Sequence, residues 1–152
     1  MQNKAKSLQG AFSLIELVFV IAVVGILAAI AIPKLSATRT DAQYAAINKD
    51  IQAIISSIQV AATTQDNLAN VLNGEFIMRT AGLSPLRWIA QTNGVRLGKE
   101  GTLDTQNNCV IIDTNATTLS IEISPIASSP LCQKLLKAYP QPLRINLQDS
   151  VL

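Results

Sequence analysis

Residues 17–32 read LVFVIAVVGILAAIAI, sixteen positions without a charge. Extending the run from Ala11 to Pro33 adds one charge, Glu16. A helix rises ~1.5 Å per residue, so twenty-odd residues reach across the ~30 Å hydrocarbon core of a bilayer. Just before the run stands MQNKAKSLQG, with Lys4 and Lys6 and no acid. Basic flanks stay cytoplasmic, so the chain beyond the run is expected outside. An ordinary secretory signal peptide has a small-residue cleavage site after its apolar core. Ala28, Ala29 and Ala31 imitate one, but this run is longer than usual and opens with Glu16. A plain membrane anchor is the other alternative. Neither accounts for a carboxylate inside the run, where it costs roughly 2.5–3.5 kcal/mol and asks for a partner.

Composition removes several classes of function. Charged residues are 14% of the 152, against about 25% in ordinary domains. There is no histidine and there are two cysteines, which excludes His-dependent triads, HExxH metalloenzymes and Cys/His zinc sites. Twelve basic residues face ten acidic ones; without Lys4 and Lys6 the balance is ten to ten. Strong phosphate binding needs several clustered Lys or Arg. Arg79, Arg87, Arg96 and Lys99 cluster only if folding gathers them, so direct nucleic-acid binding is not expected.

The segment Ala11-Phe12-Ser13-Leu14-Ile15-Glu16-Leu17, the apolar run, and Gly25-Ile26-Leu27-Ala28-Ala29-Ile30-Ala31-Ile32-Pro33 resemble a type IV prepilin or type II secretion pseudopilin. The resemblance covers residues ~4–60 and is specific over 11–33. It implies a leader, residues 1–11, cut on the cytoplasmic side between Ala11 and Phe12 by a prepilin peptidase, with N-methylation of the new Phe12 amine. Glu16 then becomes the fifth mature residue, the position of the family's characteristic glutamate, and Pro33 falls at its usual proline. The residue before the cut is usually Gly; here it is Ala11, because a cut after Gly10 would shift Glu16 to sixth place. An unpaired amine and an unpaired carboxylate are both costly in a low dielectric. Pairing the Phe12 amine of one subunit with Glu16 of a neighbour relieves both and sets register. Pro33 lacks an N–H and clashes with the carbonyl of Ala29, so a kink or local melting is expected there. Gly25 is a second weak point, and the resemblance implies that the stretch from Gly25 to Pro33 unwinds on assembly.

After Pro33 the pattern becomes amphipathic. Tyr44, Ile47, Ile51, Ile54, Ile58 and Ala61 are spaced 3, 4, 3, 4, 3, one helical stripe. The spacing predicts burial against the chain's own head, with a coiled-coil seam as the alternative. In the head, 67–72, 75–80 and a stretch from Leu83 through Ser84 and Pro85 to Trp88 read as short helices. Asn93-Gly94, Gly98 and Gly101 read as a loop. CVIID at 109–113, then alternating Leu119, Ile121 and Ile123, then alternating Leu143, Ile145 and Leu147, read as half-buried strands. The first two are joined by a turn at 113–117. Residues 131–139 read as a helix ended by Pro140.

Cys109 and Cys132 have 22 residues between them. Outside the cytoplasm a disulfide is the natural pairing, worth roughly 3 kcal/mol; two free buried thiols are the alternative. The pair also resembles the C-terminal disulfide of many pilins. Asn115-Ala116-Thr117 is an N-x-[ST] sequon, and Asp113 fits the acidic-extended bacterial form; plain turn residues are the alternative reading. Asp104, Asn107, Asn108 and Asp113 offer oxygen atoms of the kind calcium takes, but their spacing fits no dedicated loop, and neither metal nor cofactor is expected.

The expected fold class is α+β: a long N-terminal helix, transmembrane first and amphipathic second, packed against a small antiparallel sheet. The expected parts are a leader at 1–11, an assembly helix at 12–33, an amphipathic helix at 34–65 and a head at 66–152. The expected function is structural, a subunit of a type IV pilus-like or pseudopilus filament serving DNA uptake or type II secretion, and no catalysis. The alternative is a minor or tip pilin whose head binds DNA, a surface or a secretion cargo. Implied partners are copies of itself and related pilins, the prepilin peptidase and methyltransferase, an inner-membrane assembly platform and, before assembly, lipid. The implied location is a single inner-membrane pass with a periplasmic head, then a filament.

Overall fold

The computed structural model describes residues 13–64, 72–115 and 117–148, without the side chains of 30–37. The chain divides into two compact units, residues 1–39 and 40–152.

Helix α1, Leu14–Thr64, is 51 residues long and runs without interruption through Gly25 and Pro33. The local melting expected at Pro33 is therefore absent. Proline removes one backbone donor, and the turns on either side hold the helix across that single loss. In the first unit the large apolar side chains lie on the surface: eleven between Leu14 and Leu27, from 38% exposed at Val23 to 81% at Leu14. Among the described residues no helix is long and apolar enough to cross a membrane. The apolar side chains described in α1, 14–29, cover only ~24 Å of rise.

In the second unit the predicted stripe is the spine of the core. Ile51, Ile54 and Ile58 are fully buried, with Ile47, Ala61 and Ala62 nearly so and Tyr44 and Ile55 at the margin. Each fully buried isoleucine contributes about 1.5–3 kcal/mol relative to exposure. The stripe is covered by the chain's own head, as the spacing predicts.

The head supplies α2 (Gly74–Thr80), α3 (Pro130–Ala138) and six strands: β1 (Trp88–Gln91), β2 (Gly94–Lys99), β3 (Thr102–Leu103), β4 (Val110–Thr114), β5 (Thr118–Ile123) and β6 (Leu143–Asn146). The sheet is antiparallel in the order β1-β2-β4-β5-β6, with β3 pairing β2 to one side. Strands β4, β5 and β6 and helices α2 and α3 lie where the sequence pattern places them. Most of the expected helix at 67–72 lies outside the described residues.

Two expectations about the head are corrected. Ser84 and Pro85 start one turn, not a helix: Arg87 and Trp88 both donate to the Ser84 carbonyl, and Trp88 then enters β1. Pairing of β1 with β2 satisfies the backbone that a longer helix would need. The segment from Asn93 to Gly101 is not a loop but β2 and its two hairpin connections. Thr92 and Asn93 join β1 to β2, and Gly94 is already paired with Gln91. A Cβ on Gly94 would sit 1.9 Å from the Ile112 carbonyl oxygen, so this glycine permits backbone contact within the sheet. Glu100 and Gly101 both have positive φ, 55° and 82°, which is what a type I′ hairpin turn requires.

Candidate assembly and processing site

Ser13 opens α1. Its carbonyl accepts from the N–H groups of Glu16 (3.0 Å) and Leu17 (3.2 Å), and its Oγ lies 3.3 Å from the Glu16 nitrogen. This is the work of an N-cap, which satisfies donors that have no partner inside the helix. Ser-x-x-Glu before an apolar run is the capping-box pattern, the signal in the sequence for this cap. Glu16 stands in the first turn, exposed, where the helix dipole favours a negative charge by about 0.3–1 kcal/mol. The carboxylate is therefore presented on the surface, among apolar side chains that are also on the surface. Gly25 is helical, with nothing within 4 Å of an added Cβ. Ala11 and Phe12 lie outside the described residues, as does the leader.

The head carries its own bracing. Asp50 of α1 accepts from Arg87 Nη1 and from Trp88 Nε1, each at 2.7 Å. Trp88 is fully buried, so this carboxylate satisfies an indole donor that water cannot reach. On α3, Lys134 pairs with Asp41, and the Tyr139 hydroxyl donates to Asn48 and accepts from Gln52. Cys109 and Cys132 form a disulfide, S–S 2.04 Å, both fully buried. It ties the start of β4 to the first turn of α3, where Ser129 Oγ caps Cys132 N–H at 3.1 Å and donates to Asn107 Oδ1.

Of the candidate oxygen ligands, Asp104 and Asn107 are hydrogen-bonded to each other, while Asp113 is engaged elsewhere. Asp104 Oδ1 accepts from the N–H groups of Gln106 and Asn107, and Asp104 Oδ2 from Asn107 Nδ2. Asp113 is instead in an ion pair with Arg96 at 2.9 Å. Among the described residues, no group of three or more His, Cys, Asp or Glu could hold a metal ion. Partial burial pushes the Asp104 carboxyl up. The bonds from Asn107 and Gln106, with the charge of Lys99, outweigh it and hold the group below its ordinary value. Of the candidate cations, Arg87 is ion-paired with Asp50 and Arg96 with Asp113.

Residues 6–32 match the family described as the Prokaryotic N-terminal methylation motif. Motifs of this kind form the class III signal peptides of type IV pilins and pseudopilins. Ser13, Glu16 and Gly25 all lie within the matched segment. The match supports a type IV pilin-like or pseudopilin subunit in general. Proteins of that kind are structural rather than enzymatic. Comparison with curated proteins and with solved structures gives no match.

Proposed function

We propose that this pilin-like chain is a filament subunit that waits in the inner membrane and assembles through α1. The observation that carries the proposal is the coincidence of the methylation motif with a helical surface on which eleven large apolar side chains are exposed. A surface of that kind marks an interaction with lipid or protein, since monomeric soluble proteins rarely expose large contiguous apolar patches. Residues 12–33 span the membrane before assembly, with the leader cytoplasmic and the head periplasmic. Cleavage after Ala11 frees the Phe12 amine, which is methylated and pairs with Glu16 of a neighbouring subunit. That pair sets the stagger, and apolar packing supplies most of the affinity. The stretch from Gly25 to Pro33 extends as the filament forms. The filament serves DNA uptake or protein secretion.

The test is Glu16→Ala in the full chain, with membrane and filament fractions separated and the disulfide checked as a measure of head folding. The variant is expected to remain in the membrane with an intact disulfide. Wild-type incorporation would remove the pairing mechanism. Mass spectrometry of the assembled subunit is expected to show loss of residues 1–11 and gain of one methyl group. An intact leader in the filament would refute the processing step.

A further inference from the structure

We propose that Asn115 is an acceptor for an N-linked glycan. Asn115-Ala116-Thr117 is the sole N-x-[ST] site in the chain, and the acid two residues before it, Asp113, completes the extended form. The fold puts this site on the connection between β4 and β5, at one end of the sheet, with Asn115 exposed.

The side chain is held in one orientation. Asn115 Oδ1 accepts from the N–H of Thr117 (3.0 Å), the N–H of Thr118 (2.8 Å) and, more weakly, the Thr117 hydroxyl (3.4 Å). All three bonds use Oδ1, and among the described residues none uses Nδ2. Donors on the carbonyl oxygen set the orientation of the amide while the nitrogen stays available. They also give the threonine at the second position after the asparagine a physical role, since its hydroxyl reaches the reacting amide. Beside the turn lies an open groove lined by Thr117, Thr118, Ser120, Arg144, Asn146 and Gln148. Its floor is the outward face of β5 and β6, where Thr118 pairs Asn146 and Ser120 pairs Arg144. The lining is hydroxyls, amides and one guanidinium, the groups that hydrogen-bond sugar hydroxyls, and it offers a first sugar on Asn115 a polar bed.

The donor is a saccharide joined through its anomeric carbon to a lipid diphosphate. Nδ2 forms a bond to that carbon as the carbon–oxygen bond to the diphosphate breaks. The bonding pair leaves with the diphosphate oxygen, which takes up the proton that the amide nitrogen gives up, so no electron acceptor is needed. Such donors are used on the outer face of the membrane, so the inference rests on the orientation given above under the proposed function.

The experiment is peptide mapping of the full chain purified from its own cells. After reduction, trypsin releases 100–134 as one peptide containing Asn115. Fragment spectra are expected to place a saccharide mass on Asn115. Asn115→Gln and Thr117→Ala are expected to abolish it, and Thr117→Ser to retain it, with the Cys109–Cys132 disulfide formed in each. An unmodified peptide from a chain that has lost residues 1–11 would overturn the glycan alone. An unmodified peptide from an unprocessed chain would overturn the glycan and the proposed function together. A saccharide on a threonine instead of Asn115 would also overturn it.

Discussion

Removing the crosslink between β4 and α3 tests the energetics of the head directly. In the double variant Cys109→Ala/Cys132→Ala, a closed loop spanning a sequence separation of 23 is opened. The chain-entropy relation gives about 11.4 cal/mol/K for a loop of that length, or about 3.4 kcal/mol at 25 °C. Most of this acts on the unfolded chain, so the native state is expected to keep its spectrum. Trp88, the single tryptophan, is the reporter, because it is fully buried and bonded to Asp50. The assay is urea unfolding of the detergent-solubilised full chain followed by its emission maximum. With a slope of about 1.5 kcal/mol/M, the midpoint is expected to fall by about 2 M. Reduction of the wild-type disulfide is expected to give a similar fall. A midpoint within 0.5 M of wild type would refute the reasoning, since the bridge would then constrain nothing that unfolding releases.

Asp50→Ala leaves the fully buried Trp88 Nε1 without an acceptor and is expected to cost about 1–3 kcal/mol; Asp50→Asn, which keeps an acceptor oxygen, is expected to cost less in the same titration. Ile54→Ala on the buried stripe is expected to cost about 2–5 kcal/mol, whereas Val60→Ala on the exposed side of α1 stays within about 0.5 kcal/mol. Asp104 has its folded pKa held below its unfolded one, so its stabilising contribution is present above the ordinary carboxylate value and is lost as pH falls through the folded value. Asp104→Asn is accordingly expected to flatten the acid limb of the stability–pH curve, measured by urea midpoints from pH 6 down to pH 3.

The long helix, its buried stripe, β4 to β6, α3 and the disulfide were legible because each rests on one strong local signal: uniform apolarity, a 3-4 spacing, alternation, or two cysteines. The β1-β2-β3 part of the sheet was not. Its sequence, WIAQTNGVRLGKEGTL, spends three glycines within strands and turns. Local rules read clustered glycine as loop. In the fold, Gly94 is there because β4 approaches too closely for a side chain, a fact that belongs to the partner strand and not to the segment itself. Trp88 had a similar ambiguity, since Ser-Pro before it is a good helix start, and only pairing with Leu97 on β2 decides for strand. The geometry of the candidate site was partly legible. Glu16 stood out by its charge, while the capping part of Ser13 is signalled by the Ser-x-x-Glu spacing and made explicit by its bonds with Glu16 and Leu17.

Gly74 and Gly94 are stacked in a way that constrains the history of this head. A methyl group on Gly74 would meet the Gly94 carbonyl oxygen at 2.2 Å, and one on Gly94 would meet the Ile112 oxygen at 1.9 Å. Three stretches of main chain thus touch in series, and the nearest atom met at each glycine is backbone, which a second mutation cannot trim. Every codon one nucleotide away from glycine, other than the synonymous and stop codons, adds carbon at this seam. A side chain at either position is therefore expected to force the seam apart and destabilise the head.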